Sequence, residues 1–197
     1  MNNKQTNIFL VRHGQTSWNL EKRWQGSKNS NLTALGVEQA QTTKTYLDQC
    51  QVDFAYVSPL QRAQDTISIL LENKDIKAVV LDDIRELNIG PWEGITQEDT
   101  KQTDPIEFHN FWKAPDCFSL QGAETFDELQ KRVVSAVNSI FDQHEGCNIL
   151  LVSHWISIKV ALAHFSTTPL SKLPTMSDPL NAQVICLHKN GNDVSIL

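Results

Sequence analysis

The sequence predicts an α/β fold, a three-layer α/β/α sandwich whose central sheet is mostly parallel. Short apolar runs alternate along the chain with longer segments of helical periodicity. That alternation is typical of parallel sheets covered by helices on both faces. The chain has 197 residues and is 40% hydrophobic, which is enough to bury its own core. We therefore expect a single domain, residues 1–197.

The strands of this sheet are predicted from apolar runs with β-branched or aromatic content. They lie at residues 7–12, 53–58, 77–82, 148–153 and 183–188, with a weaker candidate at 193–197.

Two of the predicted helices follow a recognisable start signal. Thr33 is a candidate N-cap for a helix over residues 33–49, because its hydroxyl can accept a bond from a free amide of the first turn. Ser58 followed by Pro59 indicates a capping serine with proline at the first helical position. This signal predicts a second helix over residues 60–72.

A third helix follows Thr125 and Glu128, which form a capping box. Apolar residues behind this box recur at helical spacing, so one stripe of the helix faces a core.

Residues 88–122 break the alternation of strands and helices. This segment contains three prolines, several tryptophan and phenylalanine residues, and no clear strand. We interpret it as a cap-like insertion over the sheet edge, with some helical content.

The overall charge and the cysteines exclude several classes of protein. A net charge of −6 argues against a nucleic-acid or membrane-surface binder, which usually carries a basic patch. The four cysteines are far apart and include no Cys-x-x-Cys pair, so a zinc or redox motif is unsupported. The first apolar run, residues 8–11, is too short for a signal sequence. We therefore expect a cytoplasmic protein.

Ionisable residues follow four of the predicted strands. Arg12 and His13 end the first strand, and His154 follows the fourth. Arg62 lies in the first turn of the helix after the second strand, and Glu86 follows the third strand by a few residues. Because the carboxyl ends of parallel strands meet at one edge of a sheet, we expect these side chains to lie close together.

These residue types suit phosphate chemistry. A neutral imidazole such as that of His13 is a competent nucleophile toward phosphorus, and the guanidinium of Arg12 can hold two phosphate oxygens. Gly14 has no side chain, which lets the backbone approach an anion closely. Arg62 lies where helix amides also favour an anion. Each residue has an ordinary explanation by itself, and the joint pattern is what favours a phosphate site.

Several short motifs extend this pattern over most of the chain, in one consistent order. The sequence resembles the histidine phosphatase superfamily, in its phosphoglycerate mutase-like branch. The matching motifs are Arg12-His13-Gly14-Gln15-Thr16 with Asn19, Arg23-Trp24-Gln25-Gly26, Leu32-Thr33 with Gly36, Ser58-Pro59-Leu60 with Arg62-Ala63, Glu86 with Gly90, Trp92-Glu93-Gly94, Gly122 with Glu124, and Val152-Ser153-His154.

The resemblance implies a mechanism for the residues at the strand ends. His13 would attack the phosphorus and become a phosphohistidine. Arg12, Arg62 and His154 would stabilise the transferring phosphoryl oxygens. Glu86 would protonate the leaving oxygen and then help to deprotonate the attacking water.

The resemblance also implies the ligands of this site. Asn19, Gln25 and Gly26 would contact the phosphoryl group or a nearby part of a small phosphorylated substrate. No metal ion and no cofactor is implied, since cationic side chains take the place of a metal. The oligomeric state is left open.

Trp155 departs from the family pattern, which usually has glycine after the second histidine. An indole at this position would line the substrate cleft, as part of the substrate site, or point into the core beside Ile156 and Ile158. The sequence leaves both interpretations open.

Three functions fit the sequence. The leading hypothesis is a small phosphomonoesterase, because the stretch from Arg85 to Gly94 resembles the phosphatase branch more closely. A phosphoglycerate mutase that uses a bisphosphoglycerate cofactor is the enzymatic alternative. The third is a binding or scaffold protein that kept the fold and lost turnover, for which Trp155 is the sequence support.

Overall fold

The first strand buries apolar side chains on both sides. The computed structural model describes residues 5–197 and places this strand, β1, at Thr6–Arg12. Ile8 and Leu10 enter one hydrophobic cluster, whereas Phe9 and Val11 enter another. Because successive side chains of a strand point to opposite faces, β1 lies in a sheet that is covered on both sides.

The sheet is mostly parallel, as predicted. The other strands are β2 (Phe54–Val57), β3 (Val79–Val80), β4 (Asn148–Ser153), β5 (Val184–Asn190) and β6 (Asp193–Ile196). Their order across the sheet is β3-β2-β4-β1-β5-β6. The first four strands in this order run parallel, and β5 pairs antiparallel with both β1 and β6.

Helices cover both faces of the sheet. They are α1 (Ser17–Leu20), α2 (Ala34–Leu47), α3 (Gln61–Leu70), α4 (Gln97–Thr103), α5 (Pro105–Lys113), α6 (Phe126–Gln143) and α7 (Trp155–Phe165). Residues of α2 and α3 share the cluster that contains Phe9, and residues of α6 and α7 share the cluster that contains Ile8. The three-layer α/β/α architecture is therefore confirmed.

The third strand is much shorter than predicted. The expected strand over residues 77–82 is reduced to Val79 and Val80, both more than half exposed. As an edge strand it has hydrogen bonds to β2 alone, and the chain turns into a 3₁₀ helix at Asp82–Ile84. The apolar residues of this run therefore favour an extended conformation, but their side chains are not buried in the core.

The predicted start of α3 is also wrong. The helix begins at Gln61, and the residue before it, Leu60, provides no side-chain cap. Ser58 does not cap the helix. Its hydroxyl accepts a bond from the Leu60 amide at 3.3 Å and contacts His154.

The other two start signals are confirmed. The hydroxyl of Thr33 accepts a bond from the Gly36 amide at 3.0 Å, at the start of α2. Thr125 and Glu128 form the reciprocal capping box of α6.

Residues 88–122 contain α4, α5 and two 3₁₀ turns. Aromatic rings hold this segment against the α6 side of the sheet. The ring centroids of Trp24 and Phe111 are 4.7 Å apart, and those of Phe111 and Phe126 are 5.3 Å apart. Because Phe126 begins α6, the segment shares the core of the α6 layer.

The helix α7 is largely apolar, but its 11 residues fall short of the ~20 that a bilayer requires. Within residues 5–197, no helix combines the length and the apolar character needed to cross a membrane.

Candidate active site

A cleft of about 360 Å³ opens where the parallel strands end. Arg12 is the last residue of β1, and His13 follows it. Arg62 is the second residue of α3, and Glu86 lies between β3 and α4. All four side chains line this cleft, so the strand ends bring the predicted groups together.

His13 is buried, and its ring is oriented by two polar contacts. Nδ1 lies 2.7 Å from the carbonyl oxygen of Gly14, which accepts a hydrogen bond from it. The other nitrogen, Nε2, accepts a bond from Nε of Arg62 at 3.3 Å. In this arrangement Nδ1 carries the proton, and the lone pair of Nε2, which accepts the long bond from Arg62, lies at the cleft.

The surroundings of His13 favour the neutral imidazole. Burial is the largest cause that lowers its pKa well below the usual value, and the positive charges of Arg62 and Arg12 lower it further. The side chain is therefore uncharged near neutral pH, which is the form that a nucleophile requires.

Gly14 has a different role from the one that the sequence suggests. A Cβ added at this position would lie 2.4 Å from the carbonyl oxygen of Gly36 in α2. The residue is small because two backbone segments touch there, whereas we expected close approach to an anion. The Gly14 amide donates to the hydroxyl of Thr66 at 3.0 Å.

Arg62 is fixed by bonds from each of its guanidinium nitrogens. Besides the bond to His13, NH1 donates to the carbonyl of Lys28 at 2.7 Å, and NH2 donates to the carbonyl of Gly26 at 2.8 Å. Burial lowers the pKa of Arg62 to about 10, so it stays charged near neutral pH. The loop that carries Gly26 therefore locks a rigid cation beside the nucleophile.

Arg12 is held more loosely than Arg62. Its NH1 donates to the carbonyl of Pro179 at 2.8 Å, and its Nε is buried with no hydrogen-bond partner among the described residues. Burial lowers its pKa, and the negative charges of Glu86 and Asp178 partly offset this effect. Arg12 thus keeps donors available for a ligand in the cleft.

His154 lies behind His13, and it does not line the open cleft. It is fully buried, and the two ring centroids are 5.3 Å apart. Its Nε2 lies 2.6 Å from the hydroxyl of Ser58, while its Nδ1 has no partner among the described residues. Burial, and then the charge of Arg62, lower its pKa well below the usual value.

Glu86 lies across the start of α7. Its two carboxylate oxygens accept bonds from the amides of Ile156 at 3.2 Å and Ser157 at 3.3 Å. The first amides of a helix have no partner within the helix, so they hold this carboxylate at the cleft. A further bond comes from the Leu87 amide at 2.9 Å.

Asn19 and Gln25 line the cleft and present amide donors to it. The Oδ1 of Asn19 accepts a bond from the Thr16 amide at 3.0 Å, and the Oε1 of Gln25 accepts one from the Ser30 hydroxyl at 2.9 Å. With both oxygens engaged, the NH₂ groups face a prospective ligand.

Trp155 has features of both interpretations that the sequence leaves open. The side chain lines the cleft and is half-buried. Its ring lies 5.5 Å from that of Trp112, centroid to centroid, and its Nε1 donates to Oδ1 of Asp178 at 2.9 Å. The indole is therefore a wall of the cleft that also packs against the aromatic cluster.

A segment around Pro179 and Asn181, which no sequence motif indicates, closes one side of the site. Besides the bond from Arg12 to Pro179, the side chain of Asn181 donates to the carbonyl of His13 at 3.0 Å. Contacts of this kind involve backbone carbonyls, which leave no pattern in the sequence. The sequence does not indicate the contact of Ser58 with His154 either, since the serine is followed by proline and predicts a helix cap.

The chemistry of the site is that of an anion pocket. Cations and amide donors line the cleft around His13, together with two carboxylates, those of Glu86 and Asp178. In the part of the chain that the structure describes, no group of three or more His, Cys, Asp and Glu side chains is arranged to hold a metal ion.

Comparison with known proteins places this geometry in context. A family model described as histidine phosphatase superfamily (branch 1) matches residues 8–197. A solved structure, Bacillus stearothermophilus YhfR, has 34% sequence identity and a TM-score of 0.95. The alignment of the two structures covers 97% of this chain and 95% of the YhfR chain.

Two curated relatives align over most of this chain. An uncharacterized phosphatase of Bacillus subtilis, PhoE, is 30% identical over 161 residues, which are 82% of this chain and 78% of that protein. A bifunctional protein of Mycobacterium tuberculosis is 35% identical over 158 residues, which are 80% of this chain. The alignment spans 43% of that relative's length, so this chain corresponds to less than half of it.

Proposed function

Because the chain belongs to the histidine phosphatase superfamily, we propose that it is a phosphomonoesterase that hydrolyses small phosphorylated metabolites. The observation that carries this proposal is the state of His13. Its Nε2 is unprotonated, accepts a bond from Arg62, and faces a cleft lined by further donors. A nucleophile in a cationic pocket suits phosphoryl transfer.

In the first step, Nε2 of His13 attacks the phosphorus of the bound ester. An N–P bond forms as the ester P–O bond breaks, and Glu86, entering this step as the carboxylic acid, delivers its proton to the leaving oxygen and becomes a carboxylate. The alcohol departs, and the phosphoryl group stays on His13.

In the second step, water attacks the phosphohistidine. Glu86 takes a proton from this water as the new P–O bond forms and the P–N bond breaks. Inorganic phosphate leaves, and His13 returns to its neutral form.

Two cations and one neutral imidazole stabilise the charge that develops between these steps. Arg62 is rigidly placed, Arg12 has an unused donor, and the uncharged ring of His154 has a buried Nδ1 with no partner among the described residues. Asn19, Gln25 and the backbone of Gly26 supply neutral donors on the other side. Preorganised donors of this kind need no rearrangement when the charge forms.

We propose that this reaction needs neither a metal ion nor a cofactor. Most polar groups that line the cleft are donors or cations. Its two carboxylates are already engaged, Glu86 by three backbone amides and Asp178 by Lys159 and Trp155. Oxygen-rich sites of the kind that magnesium prefers have the opposite character.

Three further proposals concern the whole chain. The described residues, 5–197, form one domain, in which residues 88–122 act as a cap beside the cleft. Its cysteines are free and its net charge is −6, which fits a cytoplasmic enzyme that binds neither nucleic acid nor membrane.

The test is a phosphate-release assay with p-nitrophenyl phosphate and a panel of phosphorylated metabolites. We expect turnover by the native chain, none by His13→Ala, and native rates for His109→Ala, because His109 is exposed and does not line the cleft. Excess EDTA is expected to leave the rate unchanged.

Incubation with 3-phosphoglycerate separates the two enzymatic alternatives. We expect inorganic phosphate as the product, whereas accumulation of 2-phosphoglycerate would indicate a mutase. Absence of turnover on every substrate would contradict the proposal and favour a binding protein.

A further inference from the structure

Lys159 is a buried cation on a largely apolar helix. It lies in α7 and is 6% exposed, whereas the residues on either side of it are Ile158 and Val160. Buried lysines require a partner, because an unpaired charge is costly in a low-dielectric interior. Here the partner is Asp178, whose Oδ1 lies 2.5 Å from Nζ of the lysine.

The same oxygen of Asp178 also binds Trp155. The indole Nε1 donates to it at 2.9 Å. Trp155 and Lys159 lie one turn apart on α7, so a single carboxylate oxygen ties residue 178 to that helix at two points. The two members of this ion pair differ in exposure, because the aspartate side chain is 51% exposed and the lysine side chain is 8% exposed.

The residues after Asp178 bind the end of β1. The Pro179 carbonyl accepts the bond from NH1 of Arg12, and the Ala182 amide donates to the Arg12 carbonyl at 2.9 Å. This segment therefore contacts both the side chain and the backbone of Arg12.

The position of the Arg12 side chain depends on this one segment, whereas several separate contacts fix the position of Arg62. Each guanidinium nitrogen of Arg62 donates to a different acceptor. Among the described residues, the guanidinium of Arg12 has one hydrogen-bond acceptor, the Pro179 carbonyl, and its Nε has none.

We propose that Lys159 is a positioning residue that acts through Asp178 and Pro179 on the guanidinium of Arg12. This inference rests on the proposed phosphatase function. The ammonium fixes Asp178, the next residue presents its carbonyl to Arg12, and the remaining donors of Arg12 are thereby aimed at the phosphoryl oxygens. The negative charge of Asp178 also favours the protonated form of Arg12.

A double-mutant cycle tests the coupling. Lys159→Met removes the ammonium and keeps an unbranched apolar stem. We expect the fold to be retained, because the carboxylate that loses its partner, Asp178, is 51% exposed and is therefore not a buried charge. We expect kcat/KM to fall about tenfold, since a small displacement of a positioned cation is sufficient for such a loss. In an Arg12→Ala background, the same substitution is expected to change kcat/KM by less than about twofold.

Asp178→Asn gives a second arm of the cycle, in case Lys159→Met fails to fold, because its amide oxygen can still accept from Nζ of the buried lysine while the negative charge is removed. Lys189→Met is the matched control, because Lys189 pairs with Asp142 on the surface at 3.0 Å. We expect this control to leave kcat/KM unchanged in both backgrounds.

Two readouts keep this test separate from the proposed function. Thermal unfolding shows whether a loss is structural, and the dissociation constant for inorganic phosphate, measured by calorimetry, reports on Arg12 without turnover. The coupling is expected in both kcat/KM and phosphate binding. Equal losses for Lys159→Met with and without Arg12 would overturn the positioning role, even in a fully active phosphatase. Coupled phosphate binding in a protein without turnover would instead contradict the proposed function alone.

Discussion

The proposed chemistry depends on which nitrogen of His13 carries a proton. The carbonyl of Gly14 takes the Nδ1 hydrogen, and Nε of Arg62 points its own hydrogen at Nε2. A donor facing Nε2 excludes the other tautomer, since two hydrogens would then face each other. Gly14, which follows the nucleophile in the chain, and Arg62, which lies on α3, are therefore both part of its activation.

Substitution of Glu86 tests whether it acts as a general acid. Glu86→Gln keeps the size of the side chain and one acceptor oxygen for the α7 amides, and it removes the acidic proton. We expect an alkyl phosphate to lose about 10²–10⁴-fold in rate, while p-nitrophenyl phosphate loses far less, because its leaving group needs no proton. Initial rates on the two esters give the comparison.

The control for Glu86→Gln is a variant that removes one hydrogen bond to the Glu86 carboxylate without changing the carboxylate itself. Ser157→Ala removes the hydroxyl that lies 3.3 Å from Glu86 and keeps the carboxylate. We expect this variant to slow both esters by the same factor. Equal losses on the two esters in Glu86→Gln would instead mean that Glu86 has a positional role.

Trp155 is expected to set substrate preference more than stability. Because the indole lines the cleft and is half-buried, Trp155→Gly should change relative kcat/KM among substrates by about tenfold. The loss of unfolding free energy should be smaller than the ~3–5 kcal/mol typical of a fully buried tryptophan. Trp155→Phe keeps a flat ring and lacks the donor to Asp178, so it separates the cleft wall from the hydrogen bond. A large loss of stability with unchanged selectivity would mean that the main role of the indole is to pack in the core.

Among the elements, α6 offers the clearest local test. Its capping box satisfies two amides that would otherwise lack a partner. Thr125→Ala is expected to lower the free energy of unfolding by about 1 kcal/mol without changing kcat, since the cap lies outside the cleft lining. Urea unfolding measures the first quantity. Thr125→Ser is the matched control, and a loss in that variant would show that the hydroxyl is not the cause.

The sequence predicted best those helices and strands whose bounds are set by residues close together in the chain. The run 148–153 is β4 with the same bounds, and the capping box marks the start of α6. β3 was overestimated because its apolar residues are exposed at the sheet edge. Ser58 was misread because its hydroxyl serves His154, a contact between residues 96 positions apart.

The same distinction applies to the site. The ionisable residues were predictable because strand ends converge by topology. The segment around Asp178 and Pro179 was not, since it reaches Arg12 through a carbonyl that any residue type would provide. The packing of Gly14 on Gly36 likewise depends on where α2 crosses the end of β1.

At the scale of the whole molecule, burying two uncharged histidines makes stability depend on pH. His13 and His154 have pKa values well below 6.5 in the folded chain, whereas the unfolded chain has the ordinary value. Below about pH 6.5 the unfolded chain therefore binds protons that the folded chain does not, and the free energy of unfolding falls. Above that pH the stabilising contribution is fully present.

Urea unfolding between about pH 5 and about pH 7.5 measures this dependence. We expect His154→Gln to reduce the slope of stability against pH, and His109→Gln to leave it unchanged because His109 is exposed. An unchanged slope in His154→Gln would contradict the assignment of a buried neutral imidazole.

The central claim is that His13 carries the phosphoryl group during turnover. The most direct measurement mixes the native chain rapidly with p-nitrophenyl phosphate, denatures it in alkali, and locates the phosphate by peptide mass spectrometry. We expect one phosphate on the peptide that contains His13, lost on mild acid treatment, together with an initial burst of nitrophenol. Turnover without that phosphopeptide, or turnover that persists in His13→Ala, would contradict the account.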